Sequence, residues 1–457
     1  MSGLEIYSGK FRYESTKEEY QGELQIDKIN NLITLTLTIS SSDLHNIPRF
    51  PLENDIKVIY GKLLSGKSII LYDCNVLDES NHKNYIKAGL NYTTQVIKAS
   101  YLFETDVTLG PEGLLISSAQ VDFGNILEWA NLCYYTWGGD GTTWNPIWIE
   151  SEPISINYRD DLEVIFIPSR NSGVLNNYQV KLELNQNVYC KFQYKQPIKW
   201  DDFLEDIKNV EYLIGFGLQR KVRFEGIKCQ LLEDDSEDDR FWDDKVTLGI
   251  GRIENIDNQH SYFFLYNLEA IAEESHISKW LEYYEKLKPI LDLYFLILDN
   301  QYYLTSELVF LNLVQALETF HARFITDDVK EYITRAKTLV ENYLHHEEWL
   351  DFLCDKGQRS SRSIYLKSRL ADLIFANGQH LEMVDDTYQD IQKIIDTRNY
   401  YTHYDPKKLE RSFTKSELPV VNYKLRLLLE FHIQKLIGFD EDSLKKKYLE
   451  NVRRHRY

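Results

Sequence analysis

Arg398, Asn399 and His403 stand close together in the stretch IIDTRNYYTH, and their types suit the holding of an anion and the movement of a proton. Val384, Tyr388, Ile391 and Ile395 recur at spacings of four, three and four, the period of a helix with one apolar stripe. Position 398 is the next inward site of that stripe. A guanidinium on a packed face is costly unless carboxylates, carbonyls or a bound anion satisfy it, so Arg398 requires either a structural ion pair or an anionic ligand. Pro406 biases Asp405 away from helical geometry, which predicts a helix end between Thr402 and Tyr404. A helix C-terminus favours a protonated imidazole, and His403 there is a candidate proton donor.

The bulk of the chain sets bounds on what such a site belongs to. At 457 residues the chain exceeds what one hydrophobic core usually serves, and two or three domains are expected. Cys74, Cys133, Cys190, Cys229 and Cys354 are scattered, odd in number and without a C-x-x-C pair. They read as reduced thiols, neither a disulfide framework nor a zinc site. The opening MSGLEIYSGKFRYE has no basic region followed by an apolar run, and no stretch of about 18 apolar residues occurs, so a cytoplasmic protein without a membrane segment is expected. The net charge of −19 is unevenly shared: residues 1–275 hold 25 basic against 43 acidic side chains, and residues 276–457 hold 27 against 28. A phosphate-backbone partner is disfavoured for the acidic front and left open for the nearly neutral back.

The elements that must position the candidate residues change character near residue 276. Before it, LITLTLTIS alternates Ile33, Leu35, Leu37 and Ile39 with polar residues, the period of a strand with one buried face, and Asn30-Asn31 marks a hairpin turn ahead of it. Many further short strand-like runs predict an antiparallel β-sandwich or jelly roll over 1–275, interrupted by one helix, WDDFLEDIKNVEYLIGFGLQ. The acidic run EDDSEDDRFWDD lacks EF-hand spacing and is expected to be a solvated loop. YYTWGGDGTTWNPIWIE, residues 134–150, is either an aromatic-stapled loop or a surface that stacks on a base or a sugar. From 276 to 457, six segments repeat apolar residues three and four apart, and Asn377-Gly378 is a helix stop; this half is expected to be an all-α bundle.

Arg398-Asn399-Tyr400-Tyr401-Thr402-His403 resembles the R-x(4–6)-H motif of HEPN domains, helical ribonucleases of defence and toxin systems, in which a polar residue follows the arginine. LVQALETFHARF and TRNYYTHYD look like the HEPN domain of ApeA-type anti-phage proteins, and YSGKFRYE with YQGELQID resembles their β-rich N-terminal domain. As a bare pattern the spacing is weak, since about one accidental match is expected in a chain of this composition. Arg426 and His432 in RLLLEFH also match, but a leucine follows the arginine and no helix end intervenes, so that pair is set aside.

The resemblance implies abortive-infection defence by metal-independent cleavage of RNA, tRNA among the substrates, by a homodimer whose two motifs share one cleft. The ribose 2′-hydroxyl attacks the adjacent phosphorus and leaves a cyclic phosphate. His403 then moves a proton, Arg398 holds the non-bridging oxygens as charge builds, and Asn399 orients the histidine or the phosphate. No metal-ligand set is visible and no cofactor is expected. Lys407, Lys408 and Arg411, just after the motif, are phosphate contacts or a solvated basic turn. Glu318 and His321, one turn apart in ALETFHARF, are supporting residues or core filling. The basic ending KKKYLENVRRHRY is an RNA contact or a loose tail. The front domain would sense a phage-derived trigger. Two other functions remain open: a non-catalytic bundle that only dimerises, and a glycan-binding protein using the tryptophan-rich segment.

Overall fold

The computed structural model describes residues 3–41, 50, 57–83, 91–105, 113–124, 126–139, 144–149, 151–172, 184–231, 244–248, 264–300, 303–341, 350, 351, 353, 354, 357, 358, 361–377 and 387–454. The chain forms two compact units, Met1–Glu211 with Val222–Tyr262, and Tyr212–Lys221 with Phe263–Tyr457.

The first unit begins with strands β1 (Leu4–Tyr13), β2 (Tyr20–Asp27), β3 (Leu32–Ser41), β4 (Val58–Leu63), β5 (Ser68–Lys83) and β6 (Asn91–Glu104). All pair antiparallel in the order β1-β2-β3-β6-β5-β4, and β4 pairs back onto β1, so these six strands close a barrel. Closure removes open edges, and the alternation seen in the sequence fills the interior: Ile33, Leu35 and Leu37 are buried with Phe11, Tyr13, Leu24, Leu71 and Ile97. Asn31 takes φ +48° in the turn between β2 and β3, as Asn30-Asn31 predicted, and Asp27 Oδ1 accepts the Ile29 and Asn30 amides. Gly22 and Gly61 face the Phe11 ring so closely that a Cβ at either would lie 3.0 Å or less from it. The two glycines are therefore what lets the aromatic lie against the barrel wall.

Strands β7 (Leu115–Asp122), β10 (Ile154–Arg159), β11 (Leu162–Ser172), β12 (Leu184–Lys199), β13 (Gly226–Leu231) and β14 (Asp244–Leu248) form a second antiparallel sheet, order β10-β11-β12-β7-β13-β14. It joins the barrel where β14 pairs with residues Tyr101–Glu104 of β6, beyond the end of the β3 pairing. Helix α1 (Leu127–Ala130) and helix α2 (Trp200–Leu218) accompany it. Within this unit Trp200, Phe203 and Ile207 of α2 are buried, Asp206 accepts Arg159 and Tyr194, and Asn209 accepts Tyr158. The antiparallel β domain expected from the alternating pattern is thus a barrel extended by a sheet.

The second unit is helical: α3 (Leu268–Ile271), α4 (Glu274–Asp299), α5 (Ser306–Phe320), a π-turn (His321–Ile325), α6 (Val329–Leu339), α7 (Leu366–Asn377), α8 (Thr387–His403), α9 (Pro406–Leu409), α10 (Leu418–Leu436) and α11 (Glu441–Arg454). Side chains cap helix starts: Asn267 accepts the Ala270 amide, Thr305 the Leu308 amide, Asp328 the Glu331 amide, Asp405 the Lys407 amide and Asp440 the Ser443 amide. Helix α7 is described as far as Asn377, and Gly378 of the expected Asn-Gly stop lies outside the described residues. The basic ending is no loose tail through Arg454: α11 buries Tyr448, and Lys447 Nζ donates to the Phe264 and Leu265 carbonyls. All five cysteines are free thiols, and burial pushes Cys74 up to about 12. Among the described residues no helix is long and apolar enough to cross a membrane.

Candidate active site

Helix α8 ends on His403 because Tyr404 turns to φ +51° while its amide still bonds the Tyr400 carbonyl at 2.6 Å. Pro406 then opens α9 at its first turn, where a missing amide proton costs nothing.

The inward face of α8 differs from the expected stripe. Val384 and the Tyr388 side chain lie outside what the structure describes. Ile391 and Ile394 are buried, Ile395 is half-buried, and the most buried position near the end is Thr397 at 0 % exposure, followed by Asp396 at 2 %. Arg398 is therefore half-buried at the margin of the packed face rather than at its centre. Polar groups occupy the inner positions because neighbours satisfy them. Thr397 Oγ1 donates to the Lys393 carbonyl at 2.7 Å and accepts the Phe413 amide at 2.8 Å, and Asp396 is paired with Lys408.

The Arg398 guanidinium donates to Asn399 Oδ1 at 3.3 Å, one of five available donors. Five residues of helix turn Arg398 and His403 about 140° apart, so backbone geometry alone does not bring them together. Asn399 and His403, by contrast, are one turn apart on the same face. By leaning onto Asn399, the guanidinium reaches the row on which the imidazole stands, and helical side chains incline toward the preceding turn. His403 is exposed and makes no hydrogen bond or ion pair among the described residues. Lys407 and Arg411 are exposed and carry no carboxylate partner among the described residues, whereas Lys408 is engaged by Asp396.

Glu318 and His321 are not part of this cluster. Tyr401 lies within reach of the Glu307 carboxylate in the first turn of α5; burial first, then that charge, raises its phenol. Glu318 and His321 sit eleven and fourteen residues further along, about 17 and 21 Å by helical rise. Glu318 is half-buried there. His321 is fully buried, its Nε2 3.0 Å from Asp372 Oδ2 and its Nδ1 3.3 Å from the Arg369 guanidinium. Because a guanidinium only donates, Nδ1 must accept and Nε2 must carry the proton toward Asp372. Arg335 Nε donates to both Asp372 oxygens at 2.9 and 2.7 Å, and Arg369 also pairs with Asp327. Sequence reasoning had no signal for this network, since its members come from four separate segments.

The remaining motif match is structural as well. Arg426 Nε lies 3.5 Å from Glu430, which is buried and accepts the Tyr294 hydroxyl at 2.6 Å. His432 is buried with Nε2 3.0 Å from the Leu373 carbonyl, and burial lowers it to about 4. Among the described residues no group of three or more His, Cys, Asp or Glu side chains is arranged to hold a metal ion.

Comparison with known families accords with both units. The model of ApeA N-terminal domain 1 matches residues 6–280, and the model of the Apea-like HEPN domain matches residues 311–443. The chain belongs to the ApeA family. No curated protein and no solved structure matches it. An ApeA-type chain is a defence-related HEPN protein, and Arg398, Asn399, His403, Lys407, Lys408, Arg411, Glu318 and His321 all fall within the HEPN match.

In this ApeA-type chain the tryptophan-rich segment is a two-stranded ribbon, β8 (Tyr135–Gly139) with β9 (Trp144–Trp148), rather than an irregular loop. Tyr134 stacks on Trp148 at 5.6 Å and the Arg170 guanidinium lies 3.8 Å over the Trp148 ring. A sugar stacking on that face would have to displace the arginine, which weighs against the glycan reading. The acidic run Glu233–Asp244 lies outside the described residues except for Asp244, the first residue of β14.

Proposed function

We propose that this ApeA-type chain is an anti-phage ribonuclease of the abortive-infection kind, cutting RNA without a metal at a site assembled from Arg398, Asn399 and His403 of two copies. The observation that supports this most is unspent chemistry. The arginine and histidine side chains around His321 and around His432 are engaged by carboxylates and carbonyls, whereas here Arg398 is half-buried and His403 exposed, with four guanidinium donors and the imidazole unused among the described residues.

The ribose 2′-hydroxyl attacks the adjacent phosphorus, the bond from phosphorus to the 5′-oxygen breaks, and the products carry a 2′,3′-cyclic phosphate and a 5′-hydroxyl. One proton leaves the 2′-oxygen and one reaches the departing 5′-oxygen. A single His403 serves one of these transfers, and the His403 of a second copy serves the other. Arg398 receives the non-bridging oxygens, where charge accumulates in the transition state, through charge-assisted hydrogen bonds. Asn399 fixes the guanidinium and leaves its amide donors for phosphate or imidazole. Regulation belongs to the β unit, in which a cavity of about 530 Å³ lined by Lys28, Gln120, Asp122, Tyr189, Glu225 and Lys228 offers a recess for a trigger.

The test is expression of the full chain with Arg398→Ala and His403→Ala separately, followed by sequencing of cellular RNA ends. Wild type is expected to generate 2′,3′-cyclic phosphate ends that both variants lose while retaining the wild-type melting temperature. Undiminished cleavage by a folded His403→Ala protein would remove the catalytic reading and leave a bundle that only dimerises.

A further inference from the structure

Tyr404 follows His403 directly, and stability does not account for a tyrosine there. Its φ of +51° is the left-handed conformation that helix ends usually give to glycine or asparagine, and the side chain is 71 % exposed, so little burial offsets the strain. The ring is nonetheless held. It meets Tyr400 edge-on at 6.0 Å, and Tyr400 meets the half-buried Tyr401 at 5.0 Å. Asn399 and His403 form one row along α8, and Tyr400 and Tyr404 form the adjacent row. Just beyond, Asp405 Oδ1 accepts the Lys407 amide at 3.0 Å and sets the turn from which Lys407 and Arg411 extend, exposed and without a carboxylate partner among the described residues.

Resting on the ribonuclease reading, the geometry points to Tyr404 as the platform on which a base beside the scissile phosphate stacks, with Lys407 and Arg411 taking neighbouring phosphates. The substrate of this site is then RNA unpaired at the cut. An aromatic ring flanked by cations binds single strands of any sequence, because every base offers a π face, whereas a base inside a duplex has both faces covered. The platform selects substrate and positions it; proton transfer stays with His403.

The experiment uses full-length protein and one RNA sequence in two forms, single-stranded and annealed to its complement, together with a 2′-O-methyl copy that cannot be cut. Tyr404→Gly relieves the backbone, so its melting temperature is expected to be no lower than that of wild type. Its KM for the single strand is expected to rise about tenfold, and its binding of the 2′-O-methyl strand to weaken by the same factor. Tyr404→Phe and Tyr404→Trp, which keep a ring, are expected to stay within about twofold of wild type, and wild type is expected to prefer the single strand. Unchanged KM and binding in Tyr404→Gly overturn the proposal. So does a Tyr404→Phe protein as weak as Tyr404→Gly, which would assign the effect to the hydroxyl, or dissociation of the dimer by Tyr404→Gly in light scattering, which would make the ring an interface residue. Should wild type bind the 2′-O-methyl strand through Tyr404 yet cut no RNA, the ribonuclease reading fails and the platform stands.

Discussion

The helical unit places arginine and histidine together at the end of α5 and at the end of α8, and treats the two groups in opposite ways. Around His321, two arginines, two aspartates and the imidazole exchange hydrogen bonds, with His321, Arg369 and Asp372 buried and Asp372 at 1 % exposure between Arg335 and His321. At the end of α8, Arg398 bonds a neutral amide and His403 bonds nothing among the described residues. A carboxylate beside a buried guanidinium satisfies it and ends its capacity to receive an anion; an amide oxygen orients it and leaves the charge unspent. The presence of arginine and histidine therefore does not distinguish chemistry from architecture, and their partners do.

Four measurements can break or sharpen this contrast. The largest effect is expected at His403: alanine should lower the cleavage rate by about 10²–10⁴-fold with the melting temperature unchanged, because a positioned acid or base is lost from an exposed site. Asp372→Ala should do the reverse. Removing the carboxylate strands the buried imidazole of His321 and takes the only carboxylate partner of Arg335 among the described residues, and should cost about 1–3 kcal/mol of stability by chemical denaturation, while cleavage per folded molecule stays within about twofold. If Asp372→Ala instead abolished cleavage without loss of stability, the division between the two networks would be wrong.

His432 gives a test through pH. Burial depresses its folded value to about 4, below the unfolded value of about 6.5, so between those limits the unfolded chain binds more protons than the fold. Stability contributed by the neutral ring is present above about pH 6.5 and is lost as pH falls toward 4, by up to about 3 kcal/mol. Denaturation curves at several pH values should show this slope in wild type and a shallower one in His432→Gln; equal slopes would contradict a buried neutral imidazole. The smallest effect belongs to Asn399→Ala. One modest hydrogen bond to the guanidinium is lost, and kcat/KM should fall about tenfold or less in single-turnover assays, well short of Arg398→Ala. An effect as large as that of Arg398→Ala would give the amide a direct catalytic part.

Local features of the fold were legible in the sequence because they depend on near neighbours. The alternation in LITLTLTIS became β3 with Ile33, Leu35 and Leu37 inside the barrel, and Pro406 located the end of α8 to within a residue. Barrel closure was not legible. The β4–β1 pairing joins residues some fifty positions apart, and alternation says which face is buried without saying which strand lies alongside. The resemblance around IIDTRNYYTH pointed to the HEPN family whose model matches residues 311–443, but the inward stripe misjudged Arg398, because Asp396 and Thr397 go inside when Lys408 and the Phe413 amide arrive from the following segment.

The chain by itself determined an alternating front, a helical back, five unpaired cysteines and an arginine, asparagine and histidine at a helix end; each follows from periodicity, backbone stereochemistry or composition. Tertiary structure alone decided which arginine–histidine set is sealed and which is open. Desolvation and hydrogen bonding are properties of what surrounds a side chain, and Asp372 and the Leu373 carbonyl reach His321 and His432 from another helix.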